Sequence, residues 1–376
     1  MKKLILASAV SAIFAAPGTA LAQARAGSAP TLDRVLEASG LSVNGYLDVA
    51  YTRANRNLEG GTAGGVSTRV FDAQNDSFAL HQLGLTMAKQ PKEGFGGLVN
   101  VTLGKDAQVI HSFPEFSGTT SGSLFDLTQA YAQYATGAFT VIGGKFTTLH
   151  GTEVIASPGN ANISRSMLFG AVPFTHTGVR GTWALSDTVS LIAGVNNGWD
   201  QVTDANRGKT LELGASLNPI KPLTIAVSGY SGKETTTAGN DGTRTSINAV
   251  ASYTITDALS VGAEVLAVSQ DNADGAGAKT KYNGGALYAS YMFAPRLRGS
   301  ARVELFDDKN GAHFNTAAAE KYTEATITGT YYAADNMELR AEGRMDRAKD
   351  NAVFADFKGG TSKNLLTVGV QGIYKF

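Results

Sequence analysis

Serine and histidine are the residues of this chain whose chemistry could support hydrolysis. Ser164 and Ser166 lie shortly before His176 in the sequence, and an imidazole can activate a neighbouring hydroxyl as a nucleophile. The other histidines are His81, His111, His150 and His313. The chain contains no G-x-S-x-G elbow, HExxH helix, P-loop or dinucleotide-binding glycine pattern. We therefore predict that it is not an enzyme and that it needs no cofactor.

Two acidic stretches, 271–275 and 307–311, resemble parts of calcium-binding loops. Neither completes the ligand pattern, so both are interpreted as surface turns and no metal site is predicted. The chain contains 0 cysteines, which excludes disulfide frameworks and thiolate metal sites. A formal net charge of +0 gives no reason to expect nucleic acid as a partner.

Arginine and glutamate alternate with apolar residues in two runs near the C-terminus. In the run 337–347 one parity carries Arg340, Glu342 and Arg344, and in the run 297–305 one parity carries Arg298, Arg302 and Glu304. Rings of such charges set the ion selectivity of pores. Because acids and bases are interleaved, the alternative is pairing along and across strands. We expect a weak ion selectivity.

The elements that must position these charges are β-strands. From residue 41 onward we count about sixteen runs with a period of two, joined by about eight long loops and seven tight turns. In the last run Leu366, Val368 and Val370 share one parity, while Thr367 and Gln371 share the other. An even number of strands and alternating loop lengths are typical of a transmembrane antiparallel up-and-down β-barrel with both chain ends on one side.

The cost of charge in lipid decides which parity faces outward. An arginine on the lipid face near the midplane costs roughly 2–4 kcal/mol, a large part of a typical stability of about 5–15 kcal/mol. We therefore expect the charged parity to face inward. Barrels of about sixteen strands leave an aqueous channel, so the interior is predicted to be wet.

The N-terminal residues are predicted to direct export. Lys2 and Lys3, a short apolar stretch and the small residues at 20–22 form a signal peptide over 1–22. Residues 23–40 are interpreted as an N-terminal periplasmic segment, either a short helix over 31–39 that ends at Gly40 or a linker. The barrel is assigned to 41–376.

Aromatic residues cluster near the ends of the runs, where interfacial girdles form in membrane barrels. They are Tyr51, Phe95, Tyr134, Phe139, Trp183, Tyr253, Tyr291, Phe293, Tyr331, Tyr374 and Phe376. The alternative explanation is β-propensity alone. The runs 125–135 and 139–147 show no clean parity, so their facing is left open.

The chain resembles outer-membrane porins of Gram-negative bacteria, and in particular the OmpL-like β-barrel porins. The resemblance rests on the segments 43–48, 127–131, 160–169 and 173–180 and extends over nearly the whole mature chain. It implies an outer-membrane location and recognition of the terminal Phe376 by the barrel-insertion machinery. Sixteen-stranded porins are commonly trimers, so it also implies a homotrimer.

The third long loop, about 148–173, is the best candidate for a functional element. The resemblance implies that it folds into the lumen as a constriction, because this is the loop that does so in sixteen-stranded porins. Glu153 and Arg165 would bring opposite charges, and Asn160 and Asn162 neutral hydrogen-bonding groups. Arg180 would join from the opposite wall. The alternative is an outward-facing loop with solvated side chains.

These observations together predict a water-filled channel for passive diffusion of small hydrophilic solutes and ions. The expected partners are outer-membrane lipid and lipopolysaccharide, to which divalent ions could bridge the acidic loops. The alternative function is a surface-binding or adhesion barrel whose long loops plug the lumen.

Overall fold

A computed structural model describes residues 36, 38–58, 66–113, 122–235, 239–273, 275–316 and 318–376. Leu36, Ala38 and Ser39 are helical, and Gly40 follows them with a φ of 67°. The predicted signal peptide 1–22 and the remainder of the predicted segment 23–40 lie outside the described residues. No helix in the described part of the chain is long and apolar enough to cross a membrane.

Sixteen antiparallel strands form a closed barrel, as predicted. They are β1 (Ser42–Ala54), β2 (Ser77–Lys89), β3 (Gly94–Leu103), β4 (Phe125–Thr136), β5 (Phe139–Thr147), β6 (Thr175–Ser186), β7 (Val189–Asn196), β8 (Thr210–Ile220), β9 (Leu223–Thr235), β10 (Asp241–Thr254), β11 (Leu259–Gln270), β12 (Thr280–Ala294), β13 (Leu297–Asp308), β14 (Glu320–Ala334), β15 (Met337–Ala348) and β18 (Asn364–Lys375). Each pairs with its neighbour in sequence, and β18 closes the barrel against β1.

Shorter elements lie in the loops at the end of the barrel away from the tight turns. They are α1 (Ala107–Ile110), α2 (Met167–Gly170), a 3-10 turn (Ser157–Gly159) and a two-stranded sheet of β16 (Phe354–Ala355) and β17 (Thr361–Ser362). Because the barrel has an even number of strands, β1 begins and β18 ends on the opposite, tight-turn side.

The alternation of side chains separates an apolar exterior from a polar interior. Ile327 on β14 and Val368 on β18 point outward with 71% and 54% of their surface exposed. Arg302 on β13 and Arg344 on β15 point inward, as predicted, but only 0% and 1% of their surface is exposed. The expectation of a wet charged wall is therefore corrected: inward-folded loops cover these arginines and replace water as their partner.

The two runs of unclear parity are β4 and β5. Phe139 lies opposite Trp183, and Tyr134 lies opposite Phe95, with all four rings exposed on the outer face. The pairing of β3 with β4 contains a register shift between Asn100 and Thr102. A bulge of this kind moves the inward parity by one residue, which explains the mixed pattern of β4, whereas β5 pairs with both of its neighbours without a register shift.

The predicted aromatic residues lie mainly at one end of the barrel. All of them except Tyr51 are close to the tight turns or to the C-terminus. The rings therefore form one dense girdle on the side where the chain ends, which is the periplasmic side in barrels of this kind.

Candidate constriction formed by the 148–173 loop

The 148–173 loop turns into the barrel directly after β5, where His150 holds its first residues against the wall. His150 Nδ1 lies 2.7 Å from Ser228 Oγ, and its Nε2 lies 2.9 Å from Ser246 Oγ. Burial, with a smaller contribution from His176, lowers the pKa of His150 to about 3. The ring is therefore neutral at neutral pH.

Backbone groups continue the attachment to β10 and β11. The N–H of Gly151 donates to Asn248 Oδ1 over 3.0 Å, and the N–H of Thr152 donates to Glu264 Oε2 over 2.9 Å. Side chains of the wall thus satisfy donors that an irregular segment inside a barrel would otherwise leave without a partner.

Asp200 fixes the far end of the loop. It accepts hydrogen bonds from the backbone N–H groups of Phe174 and Thr175, each over 2.9 Å. Burial raises the pKa of Asp200 to about 7, although these hydrogen bonds favour the ionised form.

Arg302 joins the loop to the charged wall. Its guanidinium donates to Glu153 Oε1 over 2.6 Å, to Glu324 Oε2 over 3.0 Å and to the carbonyl of Ser164 over 2.9 Å. The predicted constriction and the predicted wall are therefore in direct contact, with a loop carboxylate and a wall carboxylate sharing one buried arginine.

Two wall carboxylates bind backbone N–H groups of the loop. Glu342 accepts from Ile163 over 2.6 Å and from Ser164 over 2.9 Å. Glu304 accepts from the first two residues of α2 over 2.8 and 2.7 Å. The first N–H groups of a helix have no partner within it, so Glu304 satisfies donors that α2 leaves free.

Arg165 holds the loop together rather than projecting into open solvent. It donates to the carbonyls of Val154 and Ile155 over 3.1 and 3.0 Å. Its guanidinium carbon lies 5.3 Å from the ring centre of Phe71 and 5.7 Å from that of Phe169, within the range of a cation–π contact.

Arg344 and Arg340 complete the wall side of the contact. Arg344 donates to the carbonyl of Arg165 over 2.5 Å and to Asp346 over 2.9 Å. Arg340 donates to Glu338 over 2.7 Å. Each of these buried cations thus has an acidic neighbour on its own strand.

The two asparagines of the loop have different partners. Asn160 closes a turn within the loop, because its side chain accepts from the N–H of Val154 and donates to the carbonyl of Val154, each over 2.9 Å. Asn162 donates to Thr328 Oγ1 on the wall over 2.7 Å.

Arg180 and Arg298 lie outside this contact. Arg180 donates to Glu212 over 2.8 Å and stands 4.2 Å from the ring centre of Phe146. Arg298 donates to Thr330 over 3.4 Å. Arg180 lies on β6 and is paired there with an acid, and its role in lining the pore stays a prediction.

A second layer of loops packs on the constriction, and sequence patterns gave no sign of it. Arg69 donates to Asp346 over 2.7 Å and to Asp72 over 3.1 Å. An apolar cluster seals this layer, formed by Phe71, Ile110, Ile155 and Phe169.

The 309–316 loop also folds inward. The ring of Phe314 lies 5.3 Å from that of Phe306 and 4.8 Å from that of Tyr322. Asp308 accepts from the N–H groups of His313 and Phe314, each over 3.0 Å, which is the geometry of a turn. Burial lowers the pKa of His313 to about 4.

An apolar surface faces the part of the lumen that these loops leave accessible. Leu98 lies opposite Tyr131, Ile142 opposite Arg180, and Ile192 opposite Gly214, and all three apolar side chains are half-buried. A Cβ built on Gly214 would lie 3.0 Å from Leu149 of the loop, which places this row on the inner side. This surface was not predicted, because inward positions were expected to be polar, although Ile142 in its run of mixed parity was a signal for it.

Phe376 ends the chain on the outer face, 57% exposed. Its N–H donates to the carbonyl of Gly45 over 2.9 Å and its carbonyl accepts from the N–H of Gly45 over 2.8 Å. The terminal residue is thus part of the seam that closes the barrel, and its role as an assembly signal stays a prediction.

Ser164 and His176 have separate partners. Ser164 Oγ lies 3.2 Å from Arg302 Nη2, and His176 Nδ1 lies 3.0 Å from the carbonyl of Gly198. Within the described residues, no group of three or more histidine, aspartate or glutamate side chains could hold a metal ion.

Comparisons with known proteins agree with this architecture. A model of the family described as "Putative beta-barrel porin-2, OmpL-like" matches residues 40–376. A search among curated protein sequences finds no match.

Solved structures share the fold at low sequence identity. The outer membrane channel DcaP of Acinetobacter baumannii is 17% identical, with 89% of this chain and 97% of that chain covered and a TM-score of 0.61. An anion-selective porin from Comamonas acidovorans is 13% identical, with 89% of this chain and 99% of that chain covered and a TM-score of 0.58. A trimer form of OmpT, an outer membrane protein of Vibrio cholerae, is 12% identical, with 89% of this chain and 99% of that chain covered and a TM-score of 0.57.

Proposed function

Because the chain belongs to the OmpL-like β-barrel porin-2 family and is an outer-membrane channel for passive diffusion, we propose that its 148–173 loop sets the narrowest part of the path. The observation that carries this proposal is the attachment of the loop across the lumen. The loop leaves the wall after β5, and His150 bonds to β9 and β10. Glu153 bonds to Arg302 of β13, which lies eight strands from β5 in a barrel of sixteen and is therefore on the opposite wall. A loop that crosses between opposite walls narrows the passage by its position.

The proposed roles of the predicted site residues follow from their burial. Five buried charged residues act by holding the loop, and their paired charges cancel over a short distance. They are Glu153, Arg165, Arg302, Arg340 and Arg344. Asn160, Asn162, Glu304 and Glu342 fix its backbone, while Arg180 and Arg298 add paired or shielded charge at the walls. Solutes then meet mainly the apolar surface around Leu98, Ile142 and Ile192, which supports a weak ion selectivity.

Single-channel recording of Glu153→Gln and Arg302→Gln tests this proposal. Glu153→Gln removes the loop carboxylate but leaves Arg302 paired with Glu324, whereas Arg302→Gln leaves both carboxylates without their cation. Because breaking a buried pair costs about 3–5 kcal/mol, the loop should detach and the conductance of both variants should rise, more in Arg302→Gln. The matched control is Lys209→Gln, an exposed residue outside the loop. Unchanged conductance in both variants would exclude the loop as the constriction.

An adhesion or surface-binding role is the second candidate, and a specific observation favours it. Several loops pack apolar side chains into the lumen, including Leu58, Val66 and Phe354. Such packing is suited to a plugged barrel. In planar bilayers the diffusion channel gives stepwise current, whereas silent insertion of folded protein would favour the plugged barrel.

The remaining assignments complete the proposal. We infer export by the 1–22 segment, recognition of Phe376 by the insertion machinery, and a homotrimer, for which the trimer form of OmpT is the supporting comparison. No covalent chemistry is proposed for Ser164 and His176, because Ser164 Oγ lies beside Arg302 Nη2 and His176 Nδ1 beside the carbonyl of Gly198, rather than beside each other. The wild type should show no esterase activity, and an activity that is lost in Ser164→Ala would contradict this assignment.

A further inference from the structure

A basic groove lies on the outer face of the barrel at the end away from the tight turns. It crosses β12 to β15 with a volume of about 590 Å³, and Lys321, Arg347 and Lys349 border it. Its floor includes Gly285 and Leu305, both on the outward parity. Gly285 has no side chain to fill the space between its neighbours, which makes the depression.

The positive charge at this groove exceeds what its own acid can neutralise. Asp307 is the acidic residue of the lining; it lies 3.0 Å from Lys309 and 3.9 Å from Lys321. Arg347 and Lys349 are exposed beside it. The groove therefore presents a net positive surface at the level where the head groups of the outer leaflet lie.

An apolar groove lies beside this basic one, nearer the tight turns, on the outer face of β10 to β13, and its lining reaches Tyr253 of the aromatic girdle. It has a volume of about 430 Å³, and its lining includes Leu287, Ala289, Ala301 and Val303. Ala289 lies four residues beyond Gly285 on β12, about 13 Å at the rise of a strand. An amphiphile whose head group contacts the cations could lay an acyl chain along this path.

The two ends of the same strands differ in a way that fits the two leaflets. At the tight-turn end β12 and β14 present the aromatic residues Tyr291, Phe293 and Tyr331, whereas at the other end Lys281 and Lys321 are their first residues on the outward parity. Aromatic rings suit any head-group region, but a row of cations suits phosphate.

We propose that this double groove binds a phosphorylated, multiply acylated glycolipid of the outer leaflet. Its phosphates contact Lys321, Arg347 and Lys349, and one acyl chain lies over Ala289 and Ala301. The site is independent of solute passage, because every side chain assigned to it points away from the lumen.

Native mass spectrometry of the full-length folded protein with bis-phosphorylated lipid A tests the head-group site. Each lysine or arginine near an anionic lipid surface adds to the attraction, so K321Q/R347Q/K349Q, which removes three of them, should weaken binding at least about tenfold. The matched control K209Q/K233Q/K279Q removes the same charge from exposed residues outside the groove and should bind as the wild type does. Heat-modifiable electrophoretic mobility reports whether each variant is folded.

Two further arms separate the alternatives. Ala289→Phe fills the lower groove and should weaken binding, whereas Ala193→Phe, on the outer face of β7, should not. Equal binding of dephosphorylated lipid A, or of the triple variant, would overturn the proposal. Cross-links through Lys321 to a second copy that lipid A does not displace would assign the groove to a subunit contact and would also overturn it.

Discussion

At the scale of single residues, carboxylates of the wall act as acceptors for the loop backbone. Glu342 accepts the N–H groups of Ile163 and Ser164, and an unsatisfied buried donor costs about 1–3 kcal/mol. Glu342→Ala should therefore speed amide hydrogen exchange at these two residues by at least about tenfold. Glu342→Gln, which keeps one acceptor oxygen, should fall between the alanine variant and the wild type. Equal protection in all three proteins would show that Glu342 does not hold the loop.

Histidine protonation gives the loop attachment a predicted pH dependence. Burial lowers the pKa of His150 from 6.5 to about 3 and that of His313 from 6.5 to about 4. Between pH 6.5 and these lowered values, the protein with a detached loop therefore binds more protons than the protein with an attached loop. The stabilisation is therefore complete above pH 6.5 and is lost as the pH falls. Asp200, with a pKa raised to about 7, has the opposite sign and loses its contribution as the pH rises.

Limited proteolysis of the folded barrel between pH 7.5 and 4.5 measures this dependence. Acidification weakens the attachment at His150 but strengthens the one at Asp200, so cleavage in the wild type should increase near residue 150 rather than near residue 173. In His150→Gln, whose side chain does not titrate, the increase should be smaller. An identical profile for the two proteins would remove His150 as the source of the acid sensitivity.

At the scale of strands, the side of the barrel decides the cost of a charge. Ile327 lies on the lipid face in the middle of β14, so Ile327→Arg should lower the free energy of unfolding by roughly 2–4 kcal/mol. Val250 lies opposite Glu264 on the inner side of β10, so Val250→Arg should cost much less. Denaturant titration of refolded protein in lipid vesicles gives both values, and equal losses would contradict the assignment of the two faces.

Strands could be predicted from the sequence because lipid and lumen impose opposite polarity on neighbouring residues. This difference in polarity is visible within a single strand, as in the alternation of Leu366, Val368 and Val370 with their neighbours. A period of two therefore predicted the barrel, its strand number and the outward parity. The contact between Glu153 and Arg302 joins residues 149 positions apart, and no local period encodes such a pairing. The resemblance to porins predicted that the loop turns inward. Neither this resemblance nor the period of two predicted that Arg302 would be fully buried.

At the scale of the whole molecule, the lumen has two unlike halves. The half formed by β13 to β15 is covered by the 148–173 loop, whose contacts bury Arg302 and Arg344. The half around β3 to β7 keeps Leu98, Ile142 and Ile192 partly accessible. Solutes should therefore pass along the second half, and the ion selectivity should respond to charges placed there.

Reversal potentials of Ile192 variants test this division. A charge on an accessible lumen wall selects ions of the opposite sign, so Ile192→Asp should shift the preference toward cations and Ile192→Lys toward anions. Ile192→Asn has a similar polarity without charge and should match the wild type. Opposite shifts of this kind cannot arise from a general loosening of the barrel, which would change all three variants alike. Identical reversal potentials in the aspartate and lysine variants would mean that ions do not pass beside β7, and the open half of the lumen would then have to be sought elsewhere in the barrel.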